Sequence, residues 1–155
     1  MEISEILREF NNSPFVSCIT SNELKKIADG RRSITLTRNN KLIGFAHLRK
    51  LNDKWYDIGP VYVLRRYRGK GNGKKLFKDV TNLIKEKGIY LIATTTNPAV
   101  SHVLISLGYR QIKVSHLPMK VLLGLVRKNN LSRLICYFKK GLILANWKTY
   151  LLQKT

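Results

Sequence analysis

The sequence predicts an α/β fold with a mixed, mostly antiparallel central sheet flanked by helices. Two patterns lead to this class: alternating, strand-like runs joined by a short turn in the first half, and a strand, a glycine-rich turn and a helix in the middle of the chain. The chain has 155 residues, 44% of them hydrophobic, and no low-complexity linker. Residues 1–155 are therefore expected to form one domain with its own core.

The first half of the chain predicts two helices followed by antiparallel strands. Asn39-Asn40 is a favourable hairpin turn, and Gly59-Pro60 predicts a bulge or splay, because proline cannot donate a ladder hydrogen bond. Ser21 or Asn22 is expected to cap the second helix. The predicted elements are helices at 2–10 and about 21–28 and strands at 33–37, 41–48 and 55–64.

The second half predicts alternating helices and strands. Asn97-Pro98 marks the start of a helix and Gly108 its end, while the apolar spacing of the preceding helix continues to about Lys87. The predicted elements are helices at about 72–87, 97–108, 117–129 and 131–140, and strands at 89–95, 109–115 and within 141–152, where a strand is preferred over a helix.

The charge of the chain is strongly basic and unevenly distributed. The formal net charge is +20, all nine acidic residues lie at or before Glu86, and residues 87–155 contain neither Asp nor Glu. This asymmetry indicates a polyanionic partner: a nucleic acid, an anionic membrane surface or an acidic substrate. A solvated basic face explains the same composition.

Three features favour a cytoplasmic protein that does not span a membrane. The first ten residues carry three glutamates and lack the apolar core of a secretory signal. The longest uninterrupted apolar or glycine stretch, residues 121–126, is too short to cross a bilayer. Cys18 and Cys136 lie far apart without metal-ligand spacing, so we expect two buried free thiols and no metal site.

The most specific motif is Arg68-Gly69-Lys70-Gly71-Asn72-Gly73. It follows an apolar strand and precedes a helix, so backbone N–H groups and the positive end of the helix dipole form an anion site. Basic side chains crowd the same place, which favours a pyrophosphate ligand. A P-loop is disfavoured because no Gly-Lys-Ser/Thr ending is present, and a dinucleotide fold because the Gly-x-Gly-x-x-Gly order is absent.

This motif and its context resemble the GNAT superfamily of acyl-CoA-dependent N-acetyltransferases. The motif of that family is Arg or Gln, two residues, Gly, one residue, and Gly or Ala, and it lies between a long strand and a helix; Arg68, Gly71 and Gly73 match it. Further along the chain, Asn97 followed by Gly108-Tyr109 resembles the family's Asn-to-Gly-Phe block. The resemblance covers roughly residues 34–113 and implies an enzyme that binds acetyl-CoA without a metal. It implies cofactor contacts from Val61, Tyr62, Val63, Arg68, Gly69, Lys70, Gly71, Asn72, Gly73, Lys74 and Asn97.

Acetyl transfer to an amine needs a general base, because an amine with a pKa of about 10 is mostly protonated at neutral pH. Many family members resemble this chain in having a carboxylate at the position of Asp57, eleven residues before Arg68. Strand alternation predicts that Asp57 faces the same side as Val61 and Val63. His47 on the neighbouring strand is a second candidate base. A surface aspartate and a structural histidine are the alternative interpretations.

The chain departs from the family at the acid that protonates the leaving thiolate. Many members have a tyrosine four residues before the Gly-Phe pair, where this chain has Leu104, and Tyr109 cannot simply replace it. A coenzyme A thiolate is a stable leaving group, so activity does not require this acid.

A weaker similarity concerns the acceptor. Thr94-Thr95-Thr96, Gly108-Tyr109 and Leu117-Pro118 are similar to the acetyltransferase domain of N-acetylglutamate synthases. This favours an amino acid or another small amine, with a carboxylate-binding arginine supplied by Arg110, Arg127 or Arg133.

The sequence therefore predicts an N-acetyltransferase that moves an acetyl group from acetyl-CoA to a primary amine by direct attack in a ternary complex. Residues 117–140 are expected to be a basic helical insertion or C-terminal extension near the acceptor cleft. The alternatives are a basic RNA- or ribosome-associated acetyltransferase and a nucleic-acid-binding protein on an inactive fold. A third is a membrane-surface protein that attaches through the apolar, basic-ended segment 119–128. The oligomeric state is left open.

Overall fold

The computed structural model describes residues 3–14, 16, 18–127 and 147–155, without the side chains of Val126 and Arg127. The helices are α1 (Ser4–Asn12), α2 (Ser21–Ala28), α3 (Asn72–Thr81), α4 (Pro98–Ser106) and α5 (Met119–Arg127). The strands are β1 (Ser33–Arg38), β2 (Lys41–Lys50), β3 (Trp55–Val63), β4 (Tyr90–Thr95), β5 (Arg110–Ile112) and β6 (Lys148–Gln153).

The described strands form one mixed sheet in the order β1-β2-β3-β4-β6-β5. Neighbouring strands are antiparallel except β3 and β4, which are parallel. This confirms the predicted α/β class with a mostly antiparallel sheet. The parallel pair requires the crossover through α3, since parallel neighbours cannot be joined by a hairpin.

Two helical layers cover the two faces of the sheet. On one face, Phe10 of α1 and Leu24 of α2 pack on Phe45 and Tyr62. On the other face, α3 and α4 pack against a second cluster that contains Ala46, Leu48, Ile58, Val63, Leu76, Phe77 and Leu104. The alternation of β2 and β3 residues between these two clusters fixes which side chains face each helical layer.

Two helix boundaries differ from the prediction. Thr20 caps α2, with its Oγ1 accepting from the Glu23 N–H at 3.2 Å and Glu23 Oε2 accepting from the Thr20 N–H at 2.8 Å, so the predicted caps Ser21 and Asn22 are wrong. Helix α3 ends at Thr81 rather than near Lys87. Ile84 is nevertheless buried, in the irregular segment after α3. The apolar spacing that predicted a longer helix therefore reflects the burial of this segment and not a further helical turn.

The hairpin and the final strand are confirmed. Asn39 and Asn40 adopt φ values of +49° and +58° between β1 and β2, which suits a primed hairpin turn. Strand β6 lies inside the predicted range 141–152 except for its last residue. The strand predicted at 109–115 is shorter in the structure, where β5 covers Arg110–Ile112 and a 3₁₀ turn follows at Val114–His116. The predicted helix 131–140 lies outside the described residues, as do residues 128–129 of the predicted helix 117–129.

Cys18 is disulfide-bonded, so the prediction of a free thiol at this position is wrong. Cys136 lies outside the described residues. Within the described part of the chain, no helix has both the length and the apolar character needed to cross a membrane.

Candidate active site

Strands β3 and β4 lie side by side only at their first residues. Their parallel ladder joins Trp55, Tyr56 and Asp57 to Tyr90, Leu91 and Ile92. Beyond it, β3 continues beside β2 and β4 continues beside β6, and a cavity of about 450 Å³ fills the opening between them. No described strand pairs with the backbone N–H and C=O groups along this opening, so an extended, amide-bearing ligand can bind to them.

A β-bulge lies at the start of the opening. Between the pairs Ala46–Val61 and Leu48–Ile58, β2 contains one residue, His47, and β3 contains two, Gly59-Pro60. Two residues opposite one bend the strand and reverse its alternation. The irregularity predicted at Gly59-Pro60 is confirmed.

The bulge places Asp57 on the opposite face of the sheet from Val61 and Val63, so the predicted shared face is wrong. Asp57 is the cross-strand partner of Arg49 on the face covered by α1 and α2, whereas Val63 packs in the cluster beneath α3. One inserted residue is enough to exchange the two faces, because side chains alternate with a period of two.

The cavity has walls from both helical layers. Phe10 and Ile19 line it on the side of α1 and α2, and Phe77 and Val103 line it on the side of α3 and α4. The cavity therefore passes through the sheet between β3 and β4. Two ligands that enter from opposite faces can meet in its middle.

The glycine turn connects β3 to α3. Gly69 and Gly71 have φ values of +74° and +77°, and Gly71 is the left-handed N-cap of α3. A Cβ on either glycine, or on Gly73, would meet no atom within 4 Å. The space beside these three glycines is therefore open, and a glycine turn that leads into a helix N-terminus fits a pyrophosphate.

Arg68 at the start of this turn is held by several contacts. Its Nε donates to the Val63 carbonyl oxygen at 2.8 Å, and its guanidinium carbon lies 5.0 Å from the centroid of the Tyr62 ring. Glu9 of α1 forms an ion pair with Arg68 at 3.5 Å and accepts from the Arg65 backbone N–H at 2.6 Å. Helix α1 thus fixes the entrance to the turn.

Most predicted cofactor residues line the same cavity. Lys70 and Asn72 do not: Lys70 is exposed, and the Asn72 amide donates to the Tyr67 carbonyl oxygen at 2.8 Å. Asn97 lines the cavity and also caps α4 by accepting from the Ala99 N–H at 3.0 Å. The lining residues from the predicted set are Val61, Tyr62, Val63, Arg68, Gly69, Gly71, Gly73, Lys74 and Asn97.

The predicted base Asp57 lines the cavity and is buried. Its Oδ2 accepts a hydrogen bond from a terminal nitrogen of Arg49, whose side chain is 26% exposed and lines the cavity as well. Sequence reasoning missed Arg49. Its position two residues after His47 was the available signal, but pairing it with Asp57 requires the strand register.

His47, the second candidate base, is not among the residues that line the cavity. Its Nδ1 lies 2.8 Å from Ser33 Oγ on β1. Burial, and then the Arg49 guanidinium, lowers the pKa of His47 below 6.5. The ring is therefore neutral at neutral pH and is engaged with the neighbouring strand.

Leu104 and Tyr109 do not line the cavity either. Leu104 is fully buried in the core, and the Tyr109 hydroxyl lies 2.7 Å from Thr81 Oγ1. Burial raises the pKa of Tyr109 to about 12. The structure thus agrees with the expectation that Tyr109 does not replace the missing acid.

The cavity lining also contains residues that no motif indicated. Ser13, Val16 and Ile19 come from the segment between α1 and α2, and Trp147 precedes β6. Of the arginines predicted to bind a carboxylate, Arg110 is exposed and does not line the cavity, while the Arg127 side chain and Arg133 lie outside the described residues.

This combination of fold and cavity defines an acyl-CoA-dependent transferase. The model of the acetyltransferase (GNAT) family matches residues 2–109, and the chain belongs to this family. A search of curated protein sequences found no significant match.

Solved structures share the fold at low sequence identity. Rv2747 from Mycobacterium tuberculosis, in complex with CoA, has a TM-score of 0.72 and 14% identity over 97% of this chain and 92% of that one. The N-acetylglutamate synthase from Neisseria gonorrhoeae, with coenzyme A and N-acetyl-glutamate, has a TM-score of 0.66 and 16% identity over 99% of this chain and 32% of that one. This chain thus spans about a third of the synthase. A ribosomal-protein-alanine N-acetyltransferase from Brucella melitensis has a TM-score of 0.58 and 18% identity, over 72% of this chain and 78% of that one.

The protein is an N-acetyltransferase that uses acetyl-CoA as its co-substrate, as predicted. The donor end of the cavity fits this molecule, because the open glycine turn can bind the pyrophosphate and the unpaired edge of β3 can bind the amide-bearing arm. Among the described residues, no group of three or more His, Cys, Asp or Glu could hold a metal ion.

Proposed function

We propose that the enzyme acetylates the primary amine of a small molecule, with amino acids favoured, by direct attack in a ternary complex. The observation that carries this proposal is the cavity that passes through the sheet at Asp57. Acetyl-CoA enters beside α3 and α4, and the acceptor enters beside α1 and α2. The apolar side chains on the acceptor side leave room for a small molecule.

In the proposed reaction, Asp57 accepts a proton from the acceptor ammonium. The neutral amine nitrogen then attacks the thioester carbonyl carbon, the C–S bond breaks, and coenzyme A leaves as a thiolate. The glycine turn and the edge of β3 position the donor during this step. As the amide forms, its nitrogen releases its second proton to water, and water passes a proton to the thiolate, because Leu104 occupies the position of the usual tyrosine. Asp57 then releases the proton that it accepted to solvent.

The second candidate function is a basic acetyltransferase associated with RNA or the ribosome. The net charge of +20 and the absence of acidic residues after Glu86 favour this alternative. RNA binding that weakens steeply with salt would support it, and weak, salt-insensitive retention would count against it.

An acceptor screen with the full chain tests the proposal. Acetyl-CoA is combined with amino acids, simple amines, peptide N-termini and RNA, and both coenzyme A release and the mass of the product are measured. Acetylation of a small amine is the expected result. If acetyl-CoA raises the melting temperature but only peptides or RNA-bound proteins are acetylated, the small-molecule acceptor is wrong.

A further inference from the structure

The two partners of the Arg49–Asp57 ion pair, which both line the cavity, differ in how exposed their side chains are. The Asp57 side chain is 2% exposed, whereas the Arg49 side chain is 26% exposed. The guanidinium is therefore the more accessible of the two charged groups. Asp57 is the one acidic residue among the described residues that line the cavity.

The guanidinium retains free hydrogen-bonding capacity. One terminal nitrogen of Arg49 donates to Asp57, and Arg49 Nε is buried without a hydrogen-bond partner among the described residues. An arginine has five N–H donors arranged as a fork that matches a carboxylate. A buried donor without an acceptor is unfavourable, so a second carboxylate at this fork would satisfy it.

The other cations that line the cavity belong to its donor end. Arg68 and Lys74 flank the glycine turn, beyond Val63. Because Asp57 pairs with Arg49 and Val63 with Gly44, Val63 lies about 17 Å along the sheet from Asp57 at roughly 3.3 Å per residue. Arg49, in contrast, is the cross-strand partner of Asp57 where β3 and β4 separate. A carboxylate on the acceptor and the pyrophosphate on the donor would thus bind different cations.

We propose that Arg49 selects acceptors that carry a carboxylate beside the reacting amine, and that this carboxylate exchanges with Asp57 on the guanidinium. This inference rests on the proposed function and names its acceptor class, a zwitterionic amino acid. The acceptor carboxylate binds the fork of Arg49, and Asp57 then accepts the proton of the acceptor ammonium. With an amine that lacks a carboxylate, transfer of the ammonium proton to Asp57 would leave Arg49 without a counter-charge, which disfavours the reaction.

The test uses matched pairs that differ only in the carboxylate: leucine and isoamylamine, phenylalanine and phenethylamine, lysine and cadaverine. With acetyl-CoA saturating, we expect kcat/KM for the amino acid to exceed that for its amine by at least about tenfold, as expected for a charge-assisted bidentate pair. In Arg49→Lys, which keeps the charge but not the fork, this ratio falls toward one, mainly through KM. A ratio near one in the unaltered enzyme would overturn the inference.

Two controls keep the result interpretable. Replacing Arg49 alone by a neutral residue leaves Asp57 buried and uncompensated and is expected to destabilise the fold. The double variant Arg49→Gln/Asp57→Asn removes both charges, and its melting temperature reports whether the site still folds. If it folds and still prefers amino acids over amines, the selection lies elsewhere and the inference is wrong.

Binding of reaction products gives a readout that does not depend on turnover. With coenzyme A present, N-acetyl amino acids are expected to raise the melting temperature more than the matched N-alkyl acetamides, and Arg49→Lys removes the difference. Equal shifts in the unaltered enzyme contradict selection by Arg49. Failure of every small amine to be acetylated, with donor binding intact, instead contradicts the proposed function itself.

Discussion

The donor and acceptor sides of the cavity are built in different ways. The proposed donor side is local in sequence, since the end of β3, the turn from Arg68 to Gly73 and the start of α3 follow one another. Most of the contacts proposed for the donor come from backbone groups. The acceptor side combines side chains from β2, β3 and the segment between α1 and α2. A backbone site depends on conformation, whereas a side-chain site depends on register and packing.

The largest expected effect is on chemistry at the acceptor side. Asp57→Asn keeps the size of the side chain and a hydrogen bond to Arg49 but removes the base, so kcat is expected to fall by about 10²–10⁴-fold. The dissociation constant of acetyl-CoA should be nearly unchanged, because the proposed donor contacts come from the end of β3 and the glycine turn and not from the Asp57 side chain. Steady-state kinetics and calorimetric titration measure the two effects. An unchanged kcat would exclude Asp57 as the base.

The next effect tests the donor side. Gly71→Val forces a β-branched residue into a left-handed conformation at φ of +77°, which costs about 1–2 kcal/mol or more and distorts the turn. We expect weaker acetyl-CoA binding together with lower stability. Gly88→Val is the matched control, since Gly88 has φ of +72°, no atom within 4 Å of a Cβ and no place in the cavity lining. Equal loss of coenzyme affinity in both variants would argue against the glycine turn as the donor site.

A smaller effect is expected for His47, which we expect to contribute to stability and not, like Asp57, to catalysis. The pKa of His47 is lowered, so the stability that depends on its neutral form is present above pH 6.5 and is lost as the pH falls through the lower folded value. In His47→Gln, denaturant unfolding should lose less stability on acidification than in the unaltered protein. Its kcat should fall far less than that of Asp57→Asn. A fall in kcat as large as that of Asp57→Asn would indicate that His47 takes part in catalysis.

The smallest effect lies outside both sides of the cavity. The pKa of Tyr109 is raised to about 12, so its contribution to stability is present below pH 10 and is lost as the pH rises through the folded value. Tyr109→Phe should lose less stability between pH 9 and 11 than the unaltered protein does, at a cost of about 1 kcal/mol at neutral pH from the lost Thr81 hydrogen bond. A large fall in kcat would instead indicate that Tyr109 supplies the missing acid.

The difference between the two sides also explains which predictions succeeded. The turn from Arg68 to Gly73 was predictable because local glycine positions, a strand before them and a helix after them determine its conformation. The face of Asp57 was not predictable, because one bulged residue at Gly59-Pro60 reverses the alternation of β3. The partner of Asp57 depended on the register between β2 and β3, which no local pattern encodes.

The sequence by itself determined the fold class, the family and the glycine turn of this acetyltransferase. Local turn chemistry, hydrophobic periodicity and the order of a short motif carry that information along the chain. Only the tertiary structure decided that the cavity passes through the sheet, that Arg49 meets Asp57 and that His47 faces Ser33 instead. These features depend on strand register and on segments far apart in sequence, and cooperative packing of the whole sheet fixes them.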